Sequence, residues 1–181
     1  MMEYKRLKRE LVAKGSIIDY YIDTMQIPNG NTEQWDFIKH KGAAAMVAID
    51  QDGNLLMVRQ YRNALERNTL EIPAGGLNPG EDMKTAATRE LEEETGYRSE
   101  HIEHLVDINT TVAFCNEKIG IYYATDLIES KQHLDENEFL KVERHSISEL
   151  EKMIYAGEIT DSKTIVAVLA IKDKFGTNGI A

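Results

Sequence analysis

The sequence predicts a mixed α+β chain, with a small antiparallel strand region ahead of a larger mixed domain, and three observations carry that expectation. Runs of β-branched and aromatic residues separated by turn signals fill most of the first third. A few helical stretches are inserted among later strand-like runs and do not alternate regularly with them. The pattern also breaks at His40-Lys41-Gly42, which divides an N-terminal β region, residues 1–42, from residues 43–181.

The elements follow in order. Ser16 to Gln26 is rich in Ile and Tyr, Pro28-Asn29-Gly30-Asn31 supplies a turn, and Thr32 to Lys39 resumes an extended pattern, so a hairpin is expected. The apolar run Ala43 to Ile49, the turn at Asp52-Gly53 and the run Leu55 to Tyr61 predict a second hairpin whose first strand is more buried. Leu70 to Pro73 reads as a short extended piece leading into a glycine-bearing loop, Gly75 to Gly80. A strong helix then runs from about Asp82 to Thr95, where Gly96 stops it. Strands are expected at Ile102 to Ile108, Ile119 to Asp126 and Phe139 to Ser146, with helices at Ser148 to Tyr155 and Ser162 to Lys174.

Composition narrows the functional classes. The 181 residues suffice for one good core. A net charge of −10, from 21 basic against 31 acidic side chains, would repel a polyphosphate backbone, and no basic block is interleaved with aromatics, so no nucleic-acid partner is expected. No run approaches the roughly 18 apolar residues of a membrane span. The charged stretch Met1 to Lys14 does not resemble a signal sequence, and the single Cys115 has no internal disulfide partner. A cytoplasmic location is the expectation.

The helix from Asp82 carries the chemistry. At about 100° per residue, Glu90, Glu93 and Glu94 share an arc of about 100°, while Glu92 points to the opposite side. Met83 and Ala86 project into the same arc and Ala87 lies beside it, so three carboxylates border the buried stripe. Like charges packed at the edge of a core are costly unless a cation joins them. A hard divalent cation with oxygen ligands suits that need, Mg²⁺ above all where phosphates share the coordination sphere. Gly75, Gly76 and Gly80 just upstream permit a close backbone approach to a ligand.

Gly75, five residues, Glu81, seven residues and then Arg89-Glu90-Leu91-Glu92-Glu93-Glu94-Thr95-Gly96-Tyr97 resembles the Nudix box at every defining position. The resemblance implies a Nudix fold, an α/β/α sandwich with a mixed sheet, whose loop-helix-loop binds divalent metal. It further implies Glu90, Glu93 and Glu94 as metal ligands, with Glu93 also in the catalytic set, Arg89 orienting a glutamate and Glu81 in a supporting role. Val58-Arg59-Gln60-Tyr61-Arg62 and Leu70-Glu71-Ile72-Pro73-Ala74-Gly75 resemble the ADP-ribose pyrophosphatase branch. They imply Arg59, Arg62 and Glu71 as substrate contacts and the Ala74 carbonyl as a further metal ligand.

Leu134-Asp135-Glu136-Asn137-Glu138 resembles the acidic loop from which that branch supplies a catalytic glutamate, and the sequence leaves Glu136 and Glu138 as equal candidates. The branch also implies a homodimer built through the N-terminal strands, where Trp35, Tyr20 and Tyr21 could stack on a base, although aromatics at strand spacing are more often core. The expected activity is Mg²⁺-dependent hydrolysis, with Mn²⁺ as substitute, of a nucleoside diphosphate sugar, ADP-ribose to AMP and ribose 5-phosphate. One departure bears on the sugar: Thr110 to Glu117 lacks the proline that the branch carries there, so ADP-glucose and GDP-mannose compete. Two rival readings are a sensing module that binds such a nucleotide without cleaving it and a nucleoside triphosphate hydrolase. The complete box, and the few residues after the last expected helix, lead us to expect hydrolysis.

Overall fold

Residues 3–134 and 136–176 are described in the computed structural model, and they fall into two units. The first comprises the described residues of Met1–Gly42 together with Asn109–Lys118; the second comprises Ala43–Ile108 and the described residues of Ile119–Ala181.

The first unit is a three-stranded antiparallel sheet, β1 (Lys5–Lys14), β2 (Ile18–Gln26) and β3 (Thr32–His40), in that order. The β2–β3 turn is closed by Gly30 N–H donating to Ile27 O and by Asn31 N–H donating to Asn29 Oδ1, with Gly30 at a φ of 89°. The sequence reading assigned no strand to β1. Almost every residue of this edge strand is exposed, so no apolar–polar alternation marks it; its charges suit a sheet edge, which they protect from adventitious pairing. One buried partner anchors it. Arg9 forks onto Asp23 at 2.6 and 2.5 Å and stacks on Phe37, its guanidinium carbon 3.7 Å from the ring centroid. The segment 109–118 borders β3: Ile38 N–H donates to Phe114 O, and Asn116 exchanges two hydrogen bonds with the His40 backbone.

The second unit is built on a mixed sheet. Its elements are β4 (Ala43–Ile49), β5 (Leu55–Arg62), β6 (Arg67–Glu71), β7 (Ala74–Gly76), α1 (Met83–Thr95), β8 (Tyr97–Arg98), β9 (His101–Asn109), β10 (Lys118–Thr125), β11 (Ile128–Glu129), β12 (Leu140–His145), α2 (Ile147–Tyr155) and α3 (Ser162–Phe175). The sheet order is β12-β5-β4-β10-β9, with β6 paired to β5, β7 to β4, and β4 parallel to β10. All seven residues of β4 are buried, because both faces are covered. On one face Val47, Leu55, Met57 and Ile121 meet Leu150 of α2 and Val168 and Ile171 of α3. On the other, Ala44, Met46, Ala48 and Leu56 meet Ala86, Ala87 and Leu91 of α1. Alanines on both partners let α1 approach the sheet closely, and each large buried side chain such as Leu91 stabilises the unit by about 1.5–3 kcal/mol.

This is the α/β/α sandwich, with an antiparallel N-terminal sheet, that the sequence implies. One local correction concerns Gly75 and Gly76, read as the start of a loop and found with Ala74 in strand β7: glycine obscures the strand signal, yet these residues pair in register with Ala43–Ala45. Among the described residues no helix is long and apolar enough to cross a membrane.

Candidate active site

Helix α1 is held at both ends. Asp82 caps its first turn by accepting from the N–H groups of Lys84 and Thr85, and Gly96, in the left-handed region at φ 73°, closes its last turn through an N–H donated to Glu92 O. The loop before it is tied by Glu81, whose Oε2 accepts from Asn78 N–H. So fixed, α1 turns Glu90 and Glu94 onto β7. A β-carbon on Gly75 would stand 1.9 Å from Glu90 Oε1, so any other residue there would push the Glu90 carboxylate out of this position. Glu94 Oε2 accepts from Ala74 N–H at 2.9 Å.

Arg89 organises the cluster. Its Nε and Nη2 fork onto Glu81 at 2.9 and 3.1 Å, and Nη2 also donates to Gly76 O. Its Nη1 bridges Glu90 Oε1 at 2.5 Å and Glu93 Oε2 at 2.8 Å. Five donors on one rigid plane thus tie three glutamates and the glycine loop together.

The electrostatics are unbalanced. Glu94 is 2% exposed, and its carboxyl is pushed up to about 8, first by burial and then by the charge of Glu90. Glu138 pushes in the same direction, against the Ala74 N–H and Arg62. Glu90 is also raised by burial, opposed by Arg89 and reinforced by Glu93 and Glu138.

A cavity of about 220 Å³ opens on this cluster, walled by Ala74, Gly75 and Gly76 on one side and Arg89, Glu90 and Glu93 on another, with His133 and Glu138 completing it. A larger recess of about 830 Å³, near Asp50, Tyr97, Asp126 and Arg144, holds none of these carboxylates. Among the described residues no three His, Cys, Asp or Glu side chains are gathered around one ion position. Arg89 Nη1 holds one oxygen each of Glu90 and Glu93. The donor chemistry still fits a hard divalent cation: the wall offers the carboxylate oxygens of Glu90, Glu93 and Glu138, and the buried Glu94 beside it is poorly compensated.

The other residues singled out in the sequence fall in different places. Glu138 lines the cavity, whereas the exposed Glu136 is absent from its wall; Asp135 lies outside the described residues. Arg62 forks onto Glu71 at 2.8 and 2.6 Å, close enough to Glu94 for their charges to act on each other. Glu71 is 2% exposed, its oxygens are also taken by Thr69 and Lys163, and it anchors Arg62. Arg59 forks onto Glu143 at 2.9 and 3.0 Å, away from the cavity wall. In the first unit Trp35 is 45% exposed beside Tyr4, Tyr21 lies against Phe37, and Tyr20 donates to Asp36.

His133 was missed. It reaches the cavity because the chain beyond β11 runs along the C-terminal half of α1: Ser130 N–H donates to Gly96 O, Gln132 Nε2 to Glu94 O, and His133 N–H to Glu93 O. No local pattern announces that pairing.

The NUDIX domain profile matches residues 39–166. An ADP-ribose pyrophosphatase of Bacillus subtilis is 36% identical over 169 residues, covering 92% of this chain and 91% of that protein. A methanol dehydrogenase activator of Bacillus methanolicus is 39% identical over 170 residues, 93% and 92% of the two chains. A crystal structure of an ADP compounds hydrolase superposes with a TM-score of 0.84 at 22% identity, covering 95% of this chain and 94% of that one, which attests the fold. With a domain match over most of its length and two full-length relatives above 30% identity, the chain belongs to the Nudix family of hydrolases.

Proposed function

We propose that this chain hydrolyses the diphosphate of a nucleoside diphosphate sugar, with ADP-ribose as first substrate, giving AMP and ribose 5-phosphate. The observation that carries the reading is the cavity itself, walled by Glu90, Glu93 and Glu138, with the buried Glu94 carboxyl behind Ala74 short of balancing charge. A full-length relative named as an ADP-ribose pyrophosphatase supports the choice of sugar.

In this reading Glu90, Glu93, Glu94 and the Ala74 carbonyl would hold Mg²⁺, with Mn²⁺ as substitute. The bound cation would neutralise charge on the diphosphate oxygens and lower the cost of water attack at phosphorus. Arg89 keeps the glutamates in register, and Gly75 admits Glu90 to the cavity by presenting no side chain. Glu138, on the cavity wall, accepts the proton of the attacking water. Arg62 offers Nη1, which lies outside its fork with Glu71, to a phosphate oxygen. Arg59 plays the same part once released from Glu143.

The departure in Thr110–Glu117 favours a second substrate reading, ADP-glucose or GDP-mannose. The test is a panel of ADP-ribose, ADP-glucose, GDP-mannose and nucleoside triphosphates with Mg²⁺ or Mn²⁺, with products resolved by chromatography. Preference for ADP-ribose supports the first reading, comparable turnover of several sugars the second, and pyrophosphate released from triphosphates defeats both. We also propose that the enzyme works in the cytoplasm as a homodimer joined through the first unit, where Leu7, Leu11, Val12 and Trp35 are exposed. A monomeric mass by sedimentation equilibrium would refute that assembly.

A further inference from the structure

The N-terminus of α3 carries a charged cluster to which the carboxylate cavity gives no role. Lys163 is 7% exposed, a rare state for lysine unless its ammonium is paired. Its Nζ donates to Glu71 Oε2 at 2.5 Å and to Asp161 Oδ2 at 3.0 Å. The same Glu71 oxygen accepts Arg62 Nη2 at 2.6 Å, while Oε1 accepts Arg62 Nε at 2.8 Å and Thr69 Oγ1 at 2.5 Å. One buried carboxylate therefore joins the first turn of α3 to an arginine of β5.

The helix end is itself fixed. Asp161 Oδ2 accepts from Thr164 N–H and Thr164 Oγ1, and that hydroxyl oxygen accepts from Ile72 N–H, two residues before Ala74. Of the groups in this chain of contacts, Arg62 is the loosest: its side chain is 40% exposed on a long flexible stem, and the fork to Glu71 is what restrains it. The orientation of that fork depends on where the Glu71 carboxylate lies. Thr69 and Lys163 decide this, one at each oxygen, and Lys163 supplies the charge.

We propose that Lys163 is a positioning residue that acts through Glu71 to hold the Arg62 guanidinium ready for the substrate diphosphate. The inference rests on Arg62 being a diphosphate contact. Without the ammonium, Glu71 Oε2 keeps only Arg62 as partner, the carboxylate can rotate about its last torsion, and the arginine turns with it. A phosphate contact made by a fork so loosened costs binding more than chemistry, because the groups around the reacting phosphorus are untouched.

The test uses the full chain with Mg²⁺ and the variants Lys163→Met, Lys163→Gln, Arg62→Ala and Arg62→Ala/Lys163→Met. Steady-state kinetics on ADP-ribose, thermal melting and the ¹H–¹⁵N spectrum of arginine Nε–H groups are the readouts. Lys163→Met should raise KM roughly tenfold or more with kcat within about threefold, and Lys163→Gln should fall between it and wild type. The Arg62 Nε–H signal should shift and broaden in Lys163→Met, and in the Arg62→Ala background the lysine change should add less than about twofold.

Additive effects of the two changes, or an unaltered Arg62 signal, would overturn the relay. If Lys163→Met does not fold, the comparison of Lys163→Gln with wild type decides by the same criteria. The spectrum needs no turnover, so it separates the two ideas. An Arg62→Ala variant with unchanged KM sinks the diphosphate contact, and the proposal with it, even if the signal moves. A chain that cleaves no sugar nucleotide defeats the functional reading, while the spectrum still shows whether Lys163 holds Arg62.

Discussion

Glu71 and Glu94 are equally buried, each 2% exposed, yet their carboxyls move in opposite directions, Glu71 down to about 2 and Glu94 up to about 8. The difference lies in their partners. Glu71 is surrounded by Arg62, Lys163 and the Thr69 hydroxyl, which overcome its burial penalty. Glu94 receives one backbone N–H and faces Glu90 and Glu138, with Arg62 as a weaker counterweight. A buried carboxylate with its own cations serves as an anchor, whereas one held among other carboxylates is arranged for a cation from outside.

The largest expected effect breaks the second half of that contrast. Glu94→Gln keeps the shape and the acceptor for Ala74 N–H and removes the charge. Turnover with Mg²⁺ should fall by about 100-fold or more, since a ligand to the proposed ion is lost. Its melting temperature without metal should equal or exceed wild type at neutral pH, because the wild-type carboxyl must take up a proton on folding and the amide need not. A variant with near wild-type turnover would show that Glu94 is not a ligand. The companion measurement is metal addition: at about 100 times Kd, Mg²⁺ should stabilise the wild type by about 2.7 kcal/mol, and chelation should reverse this. Glu94→Gln should respond much less.

The opposite outcome is expected at Glu71. Glu71→Gln leaves Arg62 and Lys163 without their shared counter-charge, and breaking a buried pair in this way costs about 3–5 kcal/mol, read by urea unfolding. Its pH signature follows from the direction of the shift. The folded carboxyl sits below its ordinary value of 4.5, so its contribution is complete above that value and is lost as pH falls towards about 2. Wild-type stability should therefore drop across that window more steeply than that of Glu71→Gln. Equal slopes would mean that the anchor is not ionised in the fold.

Much of the carboxylate site was legible because its information is local. The glutamates share one helix, their spacing places them on one arc, and the glycines stand a fixed distance upstream. The anchor was not legible in the same way. The segment Leu70 to Gly75 marks Glu71 as notable, but only its non-local neighbours, Arg62 on another strand and Lys163 on α3, show which way it faces. His133 escaped for the same reason, since hydrogen bonds to α1 bring it to the cavity and not any pattern around it. Strand β1 was hidden by composition, because a charged edge strand lacks the alternation that reveals a half-buried one. The α/β/α layering was readable because the buried runs of β4 and β5 and the apolar stripe of α1 are strong, contiguous signals.

The smallest expected effect sharpens the contrast by holding the titration constant and changing the burial. Glu143 is also lowered to about 2, chiefly by its fork with Arg59 and then by His145 and Lys141. It lies on β12, at the edge of the sheet order, and the side chain of Arg59 is 37% exposed. Water can replace much of what that pair provides, so the shift overstates what it contributes to folding once solvent screening is counted. Glu143→Gln should then cost only about 0.5–1 kcal/mol, several times less than Glu71→Gln. The loss should shrink further in high salt, whereas that of Glu71→Gln should hardly change. If the two losses matched, partners alone would set the stability of a buried glutamate. If they differ as expected, exclusion of water is what turns the Glu71 cluster into an anchor, and leaves Arg59 able to exchange Glu143 for a phosphate at little cost.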